Sequence, residues 1–151
     1  DAYHVTEPRP DGTAAAACMR RALERAGVQP QEVGYINAHG TATPLGDAAE
    51  AAAIRQVFGA FMPPVSSTKG ATGHMMGAGG ITEAIACILA MREGLLPPTL
   101  HWETPDPACS LDCIPGRARP CTVEICMSNA FGFGGQNSSL VLGKYPRGSS
   151  A

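Results

Sequence analysis

Aromatic side chains are scarce, at 5% of the sequence with a single Trp. Few rings are available on which nucleic-acid bases could stack. Surplus charge is also lacking: the formal net charge is −2 at pH 7, so nothing in the composition points to a nucleic-acid partner. No Cys-x-x-Cys pair occurs among the cysteines at 18, 87, 109, 113, 121 and 126. The intervals between Cys109 and Cys113, and between Cys121 and Cys126, lack the paired short spacing of a zinc site, so no metal is expected. Cys18 and Cys87 fall inside apolar helical patterns, where a reduced, buried thiol is the usual state. Six free thiols in a reducing compartment are the expectation. No secretory signal opens the chain, although Asp1 does not read as a natural start and the chain opens as though inside a longer motif. No membrane span is expected either. The long apolar stretch from Met75 to Met91 contains Glu83 and falls short of the ~20 residues a span needs. It reads as a buried core helix.

What remains is a chain of 151 residues with 44% apolar content, enough for one domain with a real core. Its 18 glycines and 13 prolines predict close backbone approaches and sharp turns. Residues 1–12 read as loop. Thr13–Ala26 is an Ala-rich helix with Met19, Leu23 and Ala26 on one stripe, closed by Gly27. A strand follows at Val33–Asn37, a turn-rich loop at Gly40–Leu45, and a helix at Asp47–Val57 with Asp47 near its positive end. A short strand at Val65–Ser67 follows Pro63 and Pro64. Thr72–Arg92 reads as a third helix, apolar nearly all round through Ile81, Ile85, Ile88 and Leu89. Glycine inside a helix costs about 1 kcal/mol relative to Ala. The crowd of Gly73, Gly77, Gly79 and Gly80 therefore predicts a sandwiched helix approached closely by another backbone. Met75 and Met76 read as core packing. Residues 94–120 are irregular, and strands at Thr122–Ser128 and Ser138–Leu142 are joined by the Gly-rich segment Phe131–Gly135. This order predicts an α/β domain over residues 1–146 with helices on both faces of a mixed sheet, then a polar tail at 147–151.

Three segments carry chemistry: Asn37-Ala38-His39-Gly40-Thr41-Ala42-Thr43-Pro44, Ser66-Ser67-Thr68-Lys69-Gly70-Ala71-Thr72-Gly73-His74 and Ser128-Asn129-Ala130-Phe131-Gly132-Phe133-Gly134-Gly135-Gln136-Asn137. Each lies just beyond a predicted strand, where ligands collect in open α/β sheets. Glu83, a carboxylate in an apolar helix, needs a partner. Lys69, another structural partner or a bound cation would each serve. Thr41 and Thr43 either cap and shape the turn before the Asp47 helix or meet a ligand. For His4 and His101 a solvated or locally satisfied side chain is the reading.

These three segments resemble the C-terminal signatures of the β-ketoacyl synthases, most closely the elongating enzymes of type II fatty-acid synthesis. The likeness runs from DAYHVTEPRPDG through PPTLHWETPDP to the final strand. It implies a thiolase-like fold, the C-terminal half of a five-layered α-β-α-β-α body that dimerises when complete. The implied reaction is the decarboxylative Claisen condensation of malonyl-acyl carrier protein with an acyl thioester. The nucleophilic cysteine of that reaction is expected on an N-terminal half, because no counterpart of its motif occurs here. By resemblance, His39 and His74 are neutral imidazoles donating to the developing oxyanion, and Lys69 supports them in partnership with Glu83. Thr41 and Thr43 match the hydroxyls that meet the phosphopantetheine arm of the carrier. Phe133 matches the gating phenylalanine and supplies a backbone N–H for the acyl oxyanion, while Phe131 is nearer the core. No cofactor is expected, since the substrate arrives on acyl carrier protein. The implied compartment is the bacterial cytoplasm, or a mitochondrion or plastid in a eukaryote.

Gln136 stands where the family usually has Thr, Ala130 replaces a common Ser, and Gly79-Gly80 follows Ala78 where Ala-Gly is usual. These departures leave acyl-chain preference open. Two other readings compete: a non-catalytic partner of the chain-length-factor type, and a ketosynthase from a polyketide pathway. Retention of His39, Lys69 and His74 together favours catalysis over the first. A biosynthetic thiolase fits less well, because it places a second cysteine in the C-terminal Gly-rich loop, which here reads Phe131-Gly132-Phe133-Gly134-Gly135.

Overall fold

A computed structural model describes residues 1–145; the expected tail at 147–151 lies outside the described residues. Helix α1 spans Thr13–Ala26 and buries Ala16, Met19 and Leu23, a stripe at helical spacing. It ends where Gly27 takes φ 66° and its N–H returns to the Glu24 and Leu23 carbonyls. Strand β1 is Tyr35–Asn37, shorter than expected because Pro30–Glu32 forms a single 3-10 turn ahead of it. Helix α2 is Pro44–Phe58. It begins three residues before Asp47 because Pro44, at the first helical turn, has φ preset and no N–H to lose. Gly12 sits against α2 so closely that a Cβ there would lie 2.4 Å from the Ala49 carbonyl oxygen, which seats α1 beside α2.

Strand β2 is Val65–Ser66 and the short helix α3 is Lys69–Thr72. The long helix expected from Thr72 to Arg92 is broken. Gly73 takes φ 74°, Met76 takes φ 49°, Met76–Ala78 forms a 3-10 turn, and α4 starts only at Gly79 and runs to Glu93. The glycines that looked like close-packing residues act partly as breakers: a Cβ at Gly73 or Gly77 would meet no atom within 4 Å. Met75 and Met76 are correspondingly exposed, at 44% and 69%, and not core.

Strands β3 (Leu95–Leu96) and β4 (Arg119–Pro120) form a small antiparallel pair inside the otherwise irregular region. Strand β5 is Ile125–Gly132, and β6 is Gln136–Gly143. The pair makes a hairpin whose turn is Phe133–Gly135. Most of the third motif is therefore strand, extending the predicted Thr122–Ser128 segment toward Gly132.

The main sheet has the order β2-β1-β5-β6. Its first three strands are parallel and β6 is antiparallel to β5, so the sheet is mixed. A single parallel bridge from Val65 to Cys113 extends the β2 edge. Successive strand residues face opposite sides. Ile36 and Met127 join Met19, Leu23, Ile54 and Phe58 of α1 and α2 in one core. Tyr35 and Cys126 join Cys87, Ala90 and Met91 of α4 in the other. The outward stripe of α4 is Ile81, Ile85, Ile88 and Leu89, and all four are exposed. All six cysteines are free. Among the described residues no helix is long and apolar enough to cross a membrane.

Candidate active site

The parallel register sets the ends of β1 and β2 beside the middle of β5: Asn37 aligns with Ser66 on β2 and with Ser128 on β5. The first two motifs leave the sheet at that edge, and the third passes it. Asn37 is fully buried, and its amide nitrogen donates to the Thr68 hydroxyl at 3.4 Å.

His39 lies at the centre. Its ring centroid is 5.5 Å from that of His74, edge-on, and 5.7 Å from that of Phe131. The Lys69 Nζ is 3.5 Å from His39 Nδ1 and forms an ion pair with the Glu83 carboxylate. An ammonium only donates, so Nδ1 must keep its lone pair and the neutral ring carries its proton on Nε2. Burial, the Lys69 charge and His74 together push the His39 pKa down to about 4. The Lys69 and Glu83 side chains are 7% and 3% exposed. Glu83 keeps Oε2 buried with no hydrogen-bond partner among the described residues.

The backbone behind His39 is held from below. Glu50 accepts from the N–H groups of His39 and Gly40 at 3.0 and 2.9 Å and from the Asn129 amide at 3.1 Å. Asn129 in turn accepts from the Ser139 hydroxyl at 2.8 Å, which fixes the orientation of its amide. Burial raises the Glu50 pKa, opposed by the N–H donors of Gly40 and His39. Neither Glu50 nor Asn129 was singled out in the sequence. Glu50 could have been found by the argument applied to Glu83, since it too is a carboxylate among alanines in an apolar helix.

Beside this cluster is a cleft of about 610 Å³ lined by Thr41, Thr43, Asp47, Lys69, His74 and Trp102, among others. The Thr41 and Thr43 hydroxyls are 3.4 Å apart. Thr43 occupies the N-cap position of α2 without a side-chain capping bond, so the capping reading of that residue does not hold. Asp47 has its pKa raised chiefly by burial. His101, exposed as expected, stands at the cleft as one of its lining residues. Phe131 is the aromatic ring beside His39, whereas Phe133 stands 69% exposed on the hairpin turn. Asp1 lies against that turn: its backbone nitrogen donates to the Gly135 carbonyl at 3.0 Å, and the Gly134 N–H donates to the Val5 carbonyl at 2.7 Å. Among the described residues no group of three or more His, Cys, Asp or Glu side chains is placed to hold a metal.

Residues 1–103 match the family model described as beta-ketoacyl synthase, C-terminal domain. The chain belongs to this family. The 3-oxoacyl-[acyl-carrier-protein] synthase 2 of Coxiella burnetii (strain RSA 493 / Nine Mile phase I) is 49% identical over 146 residues, which are 95% of this chain and 35% of that protein. The solved ishigamide ketosynthase/chain length factor superposes with a TM-score of 0.92 at 43% identity, over 96% of this chain and 36% of that one. A type II polyketide synthase ketosynthase solved in complex with its acyl-carrier protein and bound to the hexaketide superposes with a TM-score of 0.93 at 35% identity, over the same shares. The chain thus has the thiolase-like α/β fold with a mixed sheet. It spans about a third of the length of the relatives it matches.

Proposed function

We propose that this chain supplies the histidine side of a condensing enzyme that elongates acyl chains on acyl carrier protein. The observation that carries the reading is the His39–His74 pair at 5.5 Å, with Lys69 against the far nitrogen of His39. In the reaction, the C–C bond of a malonyl thioester breaks and CO2 leaves. The electron pair passes into an enolate whose oxygen becomes negative. That carbon then attacks an acyl thioester on a cysteine, forming the new C–C bond and expelling the thiolate. Two imidazole N–H donors aimed at the enolate oxygen stabilise the charge as it develops; loss of one such donor typically costs ~3–4 kcal/mol. A neutral ring is required, and a His39 pKa of about 4 supplies it across the ordinary pH range. Thr41 and Thr43 are suited to receive the polar phosphopantetheine arm in the cleft.

The nucleophile belongs to an N-terminal ketosynthase half. Cys87 and Cys126 are buried in the core behind α4. Cys109 and Cys113 line the cleft, but burial and neighbouring carboxylates push both thiols up, away from the reactive thiolate. The exposed apolar stripe of α4 is the surface on which such a half would pack, and a dimer of complete units is the expected assembly. Fatty-acid elongation is favoured over a polyketide pathway because the 49% identical relative is named a 3-oxoacyl-[acyl-carrier-protein] synthase. The six free thiols are compatible with a reducing compartment such as the cytoplasm.

The test is co-expression with an N-terminal ketosynthase half and assay of elongation from malonyl-acyl carrier protein. Turnover that requires both chains and collapses in His39→Ala and His74→Ala supports condensation. A stable complex without turnover would instead identify a chain-length-factor-like partner.

A further inference from the structure

We propose that Ser67 is a positioning residue that locks the His39 turn to the Lys69 turn and thereby sets the distance between their side chains. The inference rests on the condensing role argued above. The Ser67 hydroxyl donates to the Gly40 carbonyl at 2.7 Å and accepts from the Lys69 N–H at 3.4 Å. Its own N–H donates to the Thr99 hydroxyl at 3.3 Å, which ties it to the irregular region beyond β3. Gly40 has φ 36°, and a Cβ there would lie 2.7 Å from the Ser67 Cβ, so the Ser67 side chain packs directly on the Gly40 backbone with no room for another side chain. The peptide carrying His39 is thus gripped on both sides. Glu50 takes its N–H groups and Ser67 takes the Gly40 carbonyl.

Two consequences follow for the chemistry. The Lys69 ammonium reaches His39 Nδ1 at 3.5 Å, a contact that both lowers the ring's basicity and selects the Nε2–H tautomer. Lys69 starts the one-turn helix α3, which is too short to hold its own position. The hydroxyl of Ser67 is a side-chain tether from that turn to the histidine loop. Without it the Gly40 carbonyl loses a partner, and the two turns relax apart. Misplacement by about 1 Å can cost a reaction 10²-fold.

The test uses this chain in complex with an N-terminal ketosynthase half. In Ser67→Ala, kcat for condensation falls about tenfold while KM for malonyl-acyl carrier protein changes less than about twofold. The His39 pKa, read by NMR of the labelled ring in the same complex, rises by about half a unit or more as the cation recedes. Ser67→Thr, which keeps the hydroxyl, restores both values to near wild type. Unchanged kcat and unchanged His39 titration in Ser67→Ala overturn the inference, as does a loss confined to KM, or a Thr variant as impaired as Ala. A wild-type complex without turnover defeats the condensing role instead. The ring titration still decides whether Ser67 sets the His39–Lys69 contact.

Discussion

The Nδ1 atom of His39 lies 3.5 Å from the Nζ atom of Lys69, and the far side of that ammonium is closed by the Glu83 carboxylate. The cation cannot leave, because it is paired and buried. It cannot accept a proton from the ring either, because it has no lone pair. The arrangement therefore fixes the histidine as a neutral donor through Nε2.

The pH consequence has a definite sign. Burial, Lys69 and His74 lower the His39 pKa from 6.5 to about 4. A histidine in the unfolded chain takes up its proton near pH 6.5, whereas the folded one waits until about pH 4. The stability this residue contributes is fully present above pH 6.5 and is lost progressively as pH falls toward 4. The His39 ring signal in an NMR titration is expected to stay that of a neutral imidazole at pH 5.5. A midpoint near 6.5 would show that neither the burial of the ring nor the Lys69 contact holds in solution.

Removing one member of the Lys69–Glu83 pair leaves the other charge buried, which typically costs about 3–5 kcal/mol. Lys69→Ala is expected to destabilise by that amount in urea unfolding of the complex with an N-terminal half. Lys69→Met combined with Glu83→Gln removes both charges and is expected to recover most of the stability. Condensing activity should stay lost in the double variant, because nothing then enforces the His39 tautomer. Full activity in that variant would mean that the pair is structural only.

Much of this site was legible because short motifs carried it. His39, Lys69 and His74 stand in two of the three chemical segments; the cost of a lone buried carboxylate asked only for some partner to Glu83, and it was the family resemblance that pointed to Lys69, fourteen positions away, which the structure places against it. Helix α1 was legible to the residue, since its Ala-rich stripe and Gly27 cap are both local signals. The break before α4 was not. Apolar periodicity runs straight through residues 73–78, and only the left-handed φ of Gly73 and Met76 interrupts it. The full extent of β5 was hidden for a related reason. Glycines at its end suggested a loop, but pairing along β6 carries the strand to Gly132. The buried-carboxylate argument used for Glu83 marks Glu50 as a candidate too, but it does not name the partners. Here the donors it meets come from the backbone of His39 and Gly40, which no sequence pattern reports.

Glu50→Gln tests that anchor. The carboxylate accepts three hydrogen bonds, from two backbone N–H groups and the Asn129 amide. An amide has one acceptor oxygen, and its NH2 would face an N–H donor. An unmet buried donor costs about 1–3 kcal/mol. The variant is expected to lose stability in that range and to lower kcat about tenfold or more by loosening the His39 loop. Unfolding and steady-state assays on the same preparation separate the two effects. Normal kcat with reduced stability would confine Glu50 to a folding role.

The last prediction concerns the outward stripe of α4. Ile81, Ile85, Ile88 and Leu89 recur at helical spacing and are 40–63% exposed, while the opposite face of the same helix is packed into the core. An apolar stripe of this kind along one exposed helix face marks an interaction surface. Placing a charge there should be nearly harmless to the fold of this chain, because the side chains contribute little to its own core, but costly to any partner that covers them. Ile85→Asp is therefore expected to make the isolated chain more soluble and to abolish co-purification with an N-terminal ketosynthase half. Ile88→Asp, one turn further along the same stripe, should do the same. Arg21→Asp, on the exposed face of α1, is the control and should leave the complex intact. Size-exclusion chromatography of the mixed chains reads all three. A complex that survives both isoleucine substitutions would move the partner surface off α4 and onto another face of the sheet.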